Sequence, residues 1–217
     1  MWFLQFSCVL IVFIQLSQQA AIDNRIVNGQ KVQSIEQYPY QVALFKKNEL
    51  ICGGSILSQK YILTAAHCLV KPLEEGEEIS CLPSPDESDS SFCGKTAVTT
   101  GYGWLYNNEP TTDLYAVNLK IPKINKCPYG FHHMICVPQQ KGLKGICHGD
   151  SGGPLVINGV QYGITASGIE PTRICQDITL FAFTNIIEFR KWISENSDID
   201  EENAYSNNPK EDYIEIL

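Results

Sequence analysis

Short runs of β-branched and aromatic residues, separated by Gly, Pro and Asn, fill most of the chain from residue 41 to residue 184. The runs at 41–45, 54–57, 61–65, 97–100, 114–121, 154–157, 160–166 and 180–184 each read as a strand. Short strands at close spacing with turn residues between them predict an all-β sandwich or barrel. One segment has a different period. Over 185–195, Ile186, Phe189 and Ile193 recur at i, i+3 and i+7, Trp192 widens the stripe, and Asn185 is placed to cap. A single C-terminal helix docked on a β core is expected. Between Cys68 and Cys93 the pattern lapses: Lys71 to Glu78 and Ser84 to Ser91 offer almost nothing to bury and read as loop on both sides of Cys81. No internal repeat is present.

Composition adds compartment and charge. Of 217 residues, 44% are hydrophobic and 18% charged, a balance that excludes a wholly disordered or collagen-like chain. The net charge of −8 is unevenly placed. Residues 195–217 carry eight acids against Lys210 alone, so the body is nearly neutral and 196–217 reads as an acidic tail. An acidic balance argues against binding nucleic acid, which selects clustered Lys and Arg. The N-terminus leads through Val9-Leu10-Ile11-Val12-Phe13-Ile14 to Ala20-Ala21, which reads as a secretory signal over 1–21. That apolar run is short for a membrane span of ~20 residues, and no later segment is apolar enough, so no membrane partner is expected.

Nine cysteines in a secreted chain imply an oxidising compartment. Cys8 leaves with the signal. None of the other eight forms a CxxC pair, so disulfides rather than zinc are expected, and no metal or cofactor. Cys81 and Cys93 pair with each other or stay free. The exposed pair His132-His133 lacks further ligands, and His148 reads as cleft rim.

Three motifs occur in order. Arg25-Ile26-Val27-Asn28-Gly29 puts a basic cleavage point before an apolar new N-terminus. Thr64-Ala65-Ala66-His67-Cys68 ends a strand with a histidine beside a half-cystine. Gly149-Asp150-Ser151-Gly152-Gly153-Pro154 sets a serine in a glycine-rich turn ahead of a strand. A serine hydroxyl is a poor nucleophile until an imidazole accepts its proton. The turn can aim the backbone N–H groups of Gly149 and Ser151 at one developing oxyanion. Asp150 has no evident part in proton transfer; buried, it needs a partner, and the α-ammonium freed by cutting after Arg25 would supply one.

With these motifs, and with Tyr38-Pro39-Tyr40-Gln41-Val42, Cys52-Gly53-Gly54-Ser55, Cys81-Leu82-Pro83, Val98-Thr99-Thr100-Gly101-Tyr102-Gly103 and Trp192-Ile193, the chain resembles the chymotrypsin-like (trypsin family) secreted serine proteases from Arg25 to about Glu195. The resemblance implies two antiparallel β-barrels with the active site between them and a C-terminal helix. It implies a signal peptide at 1–21, a propeptide at 22–25, a protease domain at 26–195, and an activating protease that cuts after Arg25. It makes His67 the general base, Ser151 the nucleophile, Gly149 and Ser151 the oxyanion hole, and Asp150 the partner of the Ile26 ammonium. The implied disulfides are Cys52–Cys68, Cys127–Cys136 and Cys147–Cys175, and the substrate is a protein or peptide.

The chain also departs from the family. An aspartate is expected on a strand well after the histidine and before the Cys-Leu-Pro stretch. Only twelve residues separate Cys68 from Cys81, with no such strand among them, so the first barrel is expected to be truncated between 68 and 81. His67 then lacks the group that fixes its tautomer. In the substrate pocket that the resemblance implies, Gly145 stands six residues before the nucleophile where a carboxylate would select Arg or Lys, and Gly168 lies on the wall. Phe181 falls where a pocket-lining glycine is common, so its ring narrows or blocks the pocket. Two functional readings follow: a secreted serine endopeptidase with impaired activity, or a non-catalytic homologue that acts by binding.

Overall fold

The computed structural model describes residues 26–68, 82–84, 86–104, 111–169, 172 and 174–199. The expected signal and propeptide, Arg25, the stretch 69–81 with Cys81, and the tail beyond 199 lie outside the described residues.

Two antiparallel sheets carry the fold. The larger has seven strands: β1 (Gln30–Lys31), β5 (Thr96–Gly101), β6 (Tyr115–Lys120), β7 (Met134–Pro138), β8 (Pro154–Ile157), β9 (Val160–Ile169) and β10 (Leu180–Asn185), in the order β1-β6-β5-β8-β9-β10-β7. The smaller has three: β2 (Gln41–Lys46), β3 (Glu49–Ile56) and β4 (Ile62–Leu63), in sequence order. Among the described residues the helix α1 (Ile186–Glu195) is the sole α-helix.

Alternation explains the larger sheet. In β6, Tyr115, Val117 and Leu119 point inward while Asn118 and Lys120 are exposed, the period of two that a one-sided strand requires. Those three pack with Ile135, Val137, Leu155, Phe181, Phe183 and the wholly buried Phe92. The smaller sheet has its own cluster of Leu44, Cys52, Leu57, Leu63, Ala65 and Cys68. Leu82, Ile164 of β9, and Ile186 and Ile193 of α1 complete it, with Ile199 packed at its edge. Residues from the far end of the chain thus cover the apolar face of a three-stranded sheet too small to bury itself.

The strand expectations differ from the structure in four places. The run at 61–65 pairs over only Ile62–Leu63 before turning into a 3₁₀ helix at Ala66–Cys68. The run at 54–57 begins five residues earlier, because Lys47 and Asn48 at φ 50° and 68° form a tight turn joining β2 to β3. Strands β1 and β7 were not expected: β1 is two residues paired with β6, and in β7 a Cys and a Pro in five residues leave little alternation to read, yet β7 pairs along the whole of Leu180–Thr184.

The helix starts as expected, Asn185 Oδ1 accepting from the Ile187 N–H at 3.2 Å. Its buried stripe is narrower than the sequence suggests. Ile186 and Ile193 are buried, while Phe189 and Trp192 are 37% and 60% exposed. At about 100° per residue Trp192 is turned about 100° from Ile193, off the core-facing line. Phe189 lies edge-on to His133 instead, at a centroid distance of 5.9 Å.

Candidate active site

The loop from Cys147 to Gly153 joins a disulfide to the start of β8, and its backbone is tied at several points. Asp150 N–H donates to Cys147 O (3.1 Å), Gly153 N–H to Asp150 O (3.0 Å), and Gly152 N–H to Thr165 O on β9 (2.7 Å). Ser151 O accepts from the Gly53 N–H of β3 at 2.7 Å. Gly149 has φ +93°, a left-handed conformation that glycine adopts without a Cβ penalty. Among the described residues, no group accepts from the N–H of Gly149 or of Ser151. These are the two donors an oxyanion would need, and Ser151 itself is half-buried.

Behind this loop Asp150 is fully buried. Its Oδ1 accepts from Gly103 N–H and its Oδ2 from Cys147 N–H, both at 2.8 Å. Burial pushes its carboxyl up to about 7 against those two hydrogen bonds, which favour the charged form. Gly101 and Gly103 leave the room: a Cβ at either would fall within 2.4 Å of the carboxyl group. Ile26 and Val27 are also wholly buried, and Val27 O accepts from Gly145 N–H at 3.0 Å. Asn28 Nδ2 donates to the carbonyls of Gly142 and Leu143.

His67 is held by the other sheet. It sits exposed in the 3₁₀ turn after β4, next to Cys68, which is bonded to Cys52. Thr64 Oγ1 donates to Gly53 O at 2.8 Å, and Cys68 Sγ lies 3.8 Å from Ser151 O. A buried hydrogen bond from Thr100 to Gln41 Oε1 (2.6 Å) adds a second tie between the sheets. His67 and Ser151 are therefore carried by segments in direct contact. Among the described residues no hydrogen bond joins them, and no carboxylate lies within ion-pair distance of His67. A ring nitrogen of His67 comes within 4.8 Å of the sulfurs of Cys52 and Cys68, but sulfurs spent on a disulfide are not thiolate ligands, so this trio does not form a metal site.

Two further disulfides, Cys127–Cys136 and Cys147–Cys175, frame the segments around the candidate pocket. Cys93 is a half-buried thiol whose burial pushes its ionisation up; Cys81 lies outside the described residues. Phe181 is fully buried, and its Cζ stands 1.8 Å from where a Cβ on Gly145 would be. Gly168, the register partner of Phe181 across β9 and β10, has Ile178 methyl groups 2.9 Å from its own Cβ position. His148 is exposed, edge-on to Trp104 at 5.5 Å, and its carbonyl accepts from the Trp104 N–H at 2.7 Å. His132 and His133 are exposed, with His133 Nδ1 3.5 Å from Glu188.

Sequence reasoning did not single out Gly53, Gly103 or Ile178 as site-building residues. Gly101 and Gly103, at i and i+2 from the end of a strand, carry a readable signal: two missing side chains on one face invite a close approach. Nothing in the sequence alone ties Ile178 to Gly168.

The trypsin family model matches residues 26–75 and 69–193. Among curated relatives, kallikrein 1-related peptidase b11 of Mus musculus is 28% identical over 264 aligned positions, covering 90% of this chain and 98% of the relative. Kallikrein-2 of Homo sapiens is 27% identical, covering 80% and 90%. Among solved structures, HL collagenase superposes with a TM-score of 0.65 at 23% identity, covering 80% of this chain and 99% of that one.

Proposed function

The chain belongs to the trypsin family of serine proteases, and from that premise we propose that it is a secreted zymogen whose nucleophile loop is complete and whose general base is under-supported. The signal would occupy 1–21, the propeptide 22–25, the protease domain 26–195 and an acidic tail 196–217. An activating protease cuts after Arg25. The new Ile26 ammonium then meets Asp150, whose buried carboxyl has only the N–H groups of Gly103 and Cys147 as partners among the described residues. Ile26 stands at φ +35° before the cut, a costly conformation for a β-branched residue. Cleavage removes the preceding carbonyl that defines this angle and so releases the strain.

In the reaction, Ser151 Oγ attacks the peptide carbonyl carbon while His67 accepts the hydroxyl proton. The carbonyl oxygen, now negative, takes the N–H groups of Gly149 and Ser151. Collapse breaks the C–N bond, His67 returns the proton to the leaving amine, and water, deprotonated by His67, releases the acyl group. The observation that carries this reading is the pair of uncommitted N–H donors beside a half-buried serine.

The impairment rests on His67 having no carboxylate among the described residues, and on the alignment with the mouse kallikrein. That alignment is longer than this whole chain, so the relative holds residues without a counterpart here. The same facts favour the second reading, a non-catalytic homologue that binds through the cleft. Cutting after Arg25 and exposing the folded protein to a fluorophosphonate separates them. A mass adduct on Ser151 is expected of the endopeptidase; folded, cut protein with no adduct leaves the binding reading.

A further inference from the structure

We propose that this protein has no subsite for a P1 side chain, the residue on the acyl side of the scissile bond, because the ring of Phe181 permanently occupies that place. The proposal rests on the reading of Ser151 and its loop as a peptide-binding site. In that reading the side chain of residue 145 points into the P1 pocket, and here it is absent. Phe181 Cζ lies 1.8 Å from the Gly145 Cβ position, with Cε1 and Cε2 at 2.4 and 2.5 Å. The end of the ring thus fills the volume that a residue-145 side chain would claim. Such overlap requires a glycine, since no neighbour could give way by that much without leaving the core.

The second wall is closed by another residue. Three Ile178 carbons lie 2.9–3.1 Å from the Gly168 Cβ position. Phe181 and Ile178 are 0% and 4% exposed and belong to the main core cluster with Ile146 and Cys147, which flank the nucleophile loop. A ring held in that core is not a flap at the mouth of a cleft: moving it would open a cavity in a close-packed interior.

The substrate class follows. A peptide can present its carbonyl to Ser151 and to the oxyanion donors, but its P1 residue must be glycine, which brings no side chain. Larger P1 residues, charged or apolar, are excluded by the same ring. Discrimination comes from steric exclusion, so it acts on every side chain alike and not on one chemical type.

The test uses full-length protein cut after Arg25, as wild type and as the F181A and F181G variants. Removing the ring should leave a neutral apolar cavity of the kind that takes up benzene. Benzene should therefore raise the melting temperature of the variants and give saturable ligand-observed NMR signals, with wild-type affinity at least about tenfold weaker. Wild type binding benzene as well as the variants do, or folded variants that bind none, overturns the proposal. If neither variant folds, wild type decides alone, since saturable benzene binding to it displaced by a P1-Phe peptide aldehyde contradicts a filled pocket, whereas its absence upholds one. Peptidyl phosphonates give an independent readout. Wild type should label at least about tenfold faster with glycine than with phenylalanine at P1, and F181G should reverse that order; a Phe preference in wild type overturns the proposal. If a small fluorophosphonate leaves Ser151 unmodified, the catalytic reading fails while the benzene titration still decides the pocket.

Discussion

The segment that carries Ser151 and the segment that carries His67 are built to different standards. Around Ser151 the seven-stranded sheet, the Cys147–Cys175 disulfide and the buried Asp150 hold the loop with the N–H groups of Gly149 and Ser151 uncommitted among the described residues. Around His67 there are three strands, one disulfide, and an exposed imidazole without a carboxylate among the described residues. The contrast separates two demands of such a site: the oxyanion donors are held mainly by the larger sheet, with one tie to β3 through Ser151 O, whereas the imidazole is carried by the smaller sheet alone.

The largest expected effect breaks the contrast by repair. Inserting between Cys68 and Cys81 an aspartate-bearing strand placed to reach His67 should raise the rate of Ser151 modification by a fluorophosphonate in the cut chain. The ceiling is about 10⁴-fold, the known cost of disabling that aspartate in proteases of this type. A graft that folds and changes the rate less than tenfold, roughly, would place the deficit elsewhere.

Asp150 sharpens the other half. Its carboxyl, near 7 in the folded uncut chain and 3.8 as the ordinary value, keeps a proton in the native state that the unfolded state has lost. Stability of the uncut chain should therefore fall as pH rises from about 4 to about 7, by up to about 4 kcal/mol, and level off above. Denaturant melts of wild type and Asp150→Asn across that range should differ in this slope. The slope should vanish in wild type after cleavage, when the ammonium holds the carboxylate ionised.

The histidine lobe depends on borrowed packing. Ile193→Ala should cost about 2–4 kcal/mol, with loss of the smaller sheet's protection from hydrogen exchange before that of the larger. Equal loss in both would mean that the sheets unfold as one unit. The smallest effect belongs to the tie between them: Thr100→Val leaves Gln41 Oε1 unpaired in a buried position and should cost about 1–3 kcal/mol, read in the same melts.

Much of the nucleophile side was legible in the sequence because its demands are local. Gly149 and the glycines after Ser151 announce a turn that needs missing side chains, and Ile26-Val27 announces an apolar pair to be buried, as it is. Five of the seven strands of the larger sheet were legible too; β1 is only two residues long, and β7 is hidden by its Cys and Pro. On the histidine side the sequence placed His67 at the end of a short strand beside a half-cystine. How the smaller sheet is covered was not legible, because Ile186, Ile193 and Ile199 meet Leu44 and Leu63 only through long-range packing. The same holds for the pocket. Phe181 could be placed by its distance from Trp192, but the seal of Ile178 on Gly168 arises from the path of a loop whose residues look ordinary in sequence.

One rate comparison bears most directly on the claim that a complete nucleophile loop faces an incomplete base. The cut chain and the cut mouse kallikrein would be treated with the same small fluorophosphonate, and the second-order rate constants for modification of the active serine compared. A measurable rate on Ser151, below the kallikrein's by about three to four orders of magnitude, is the predicted result. A rate equal to the kallikrein's would contradict the account.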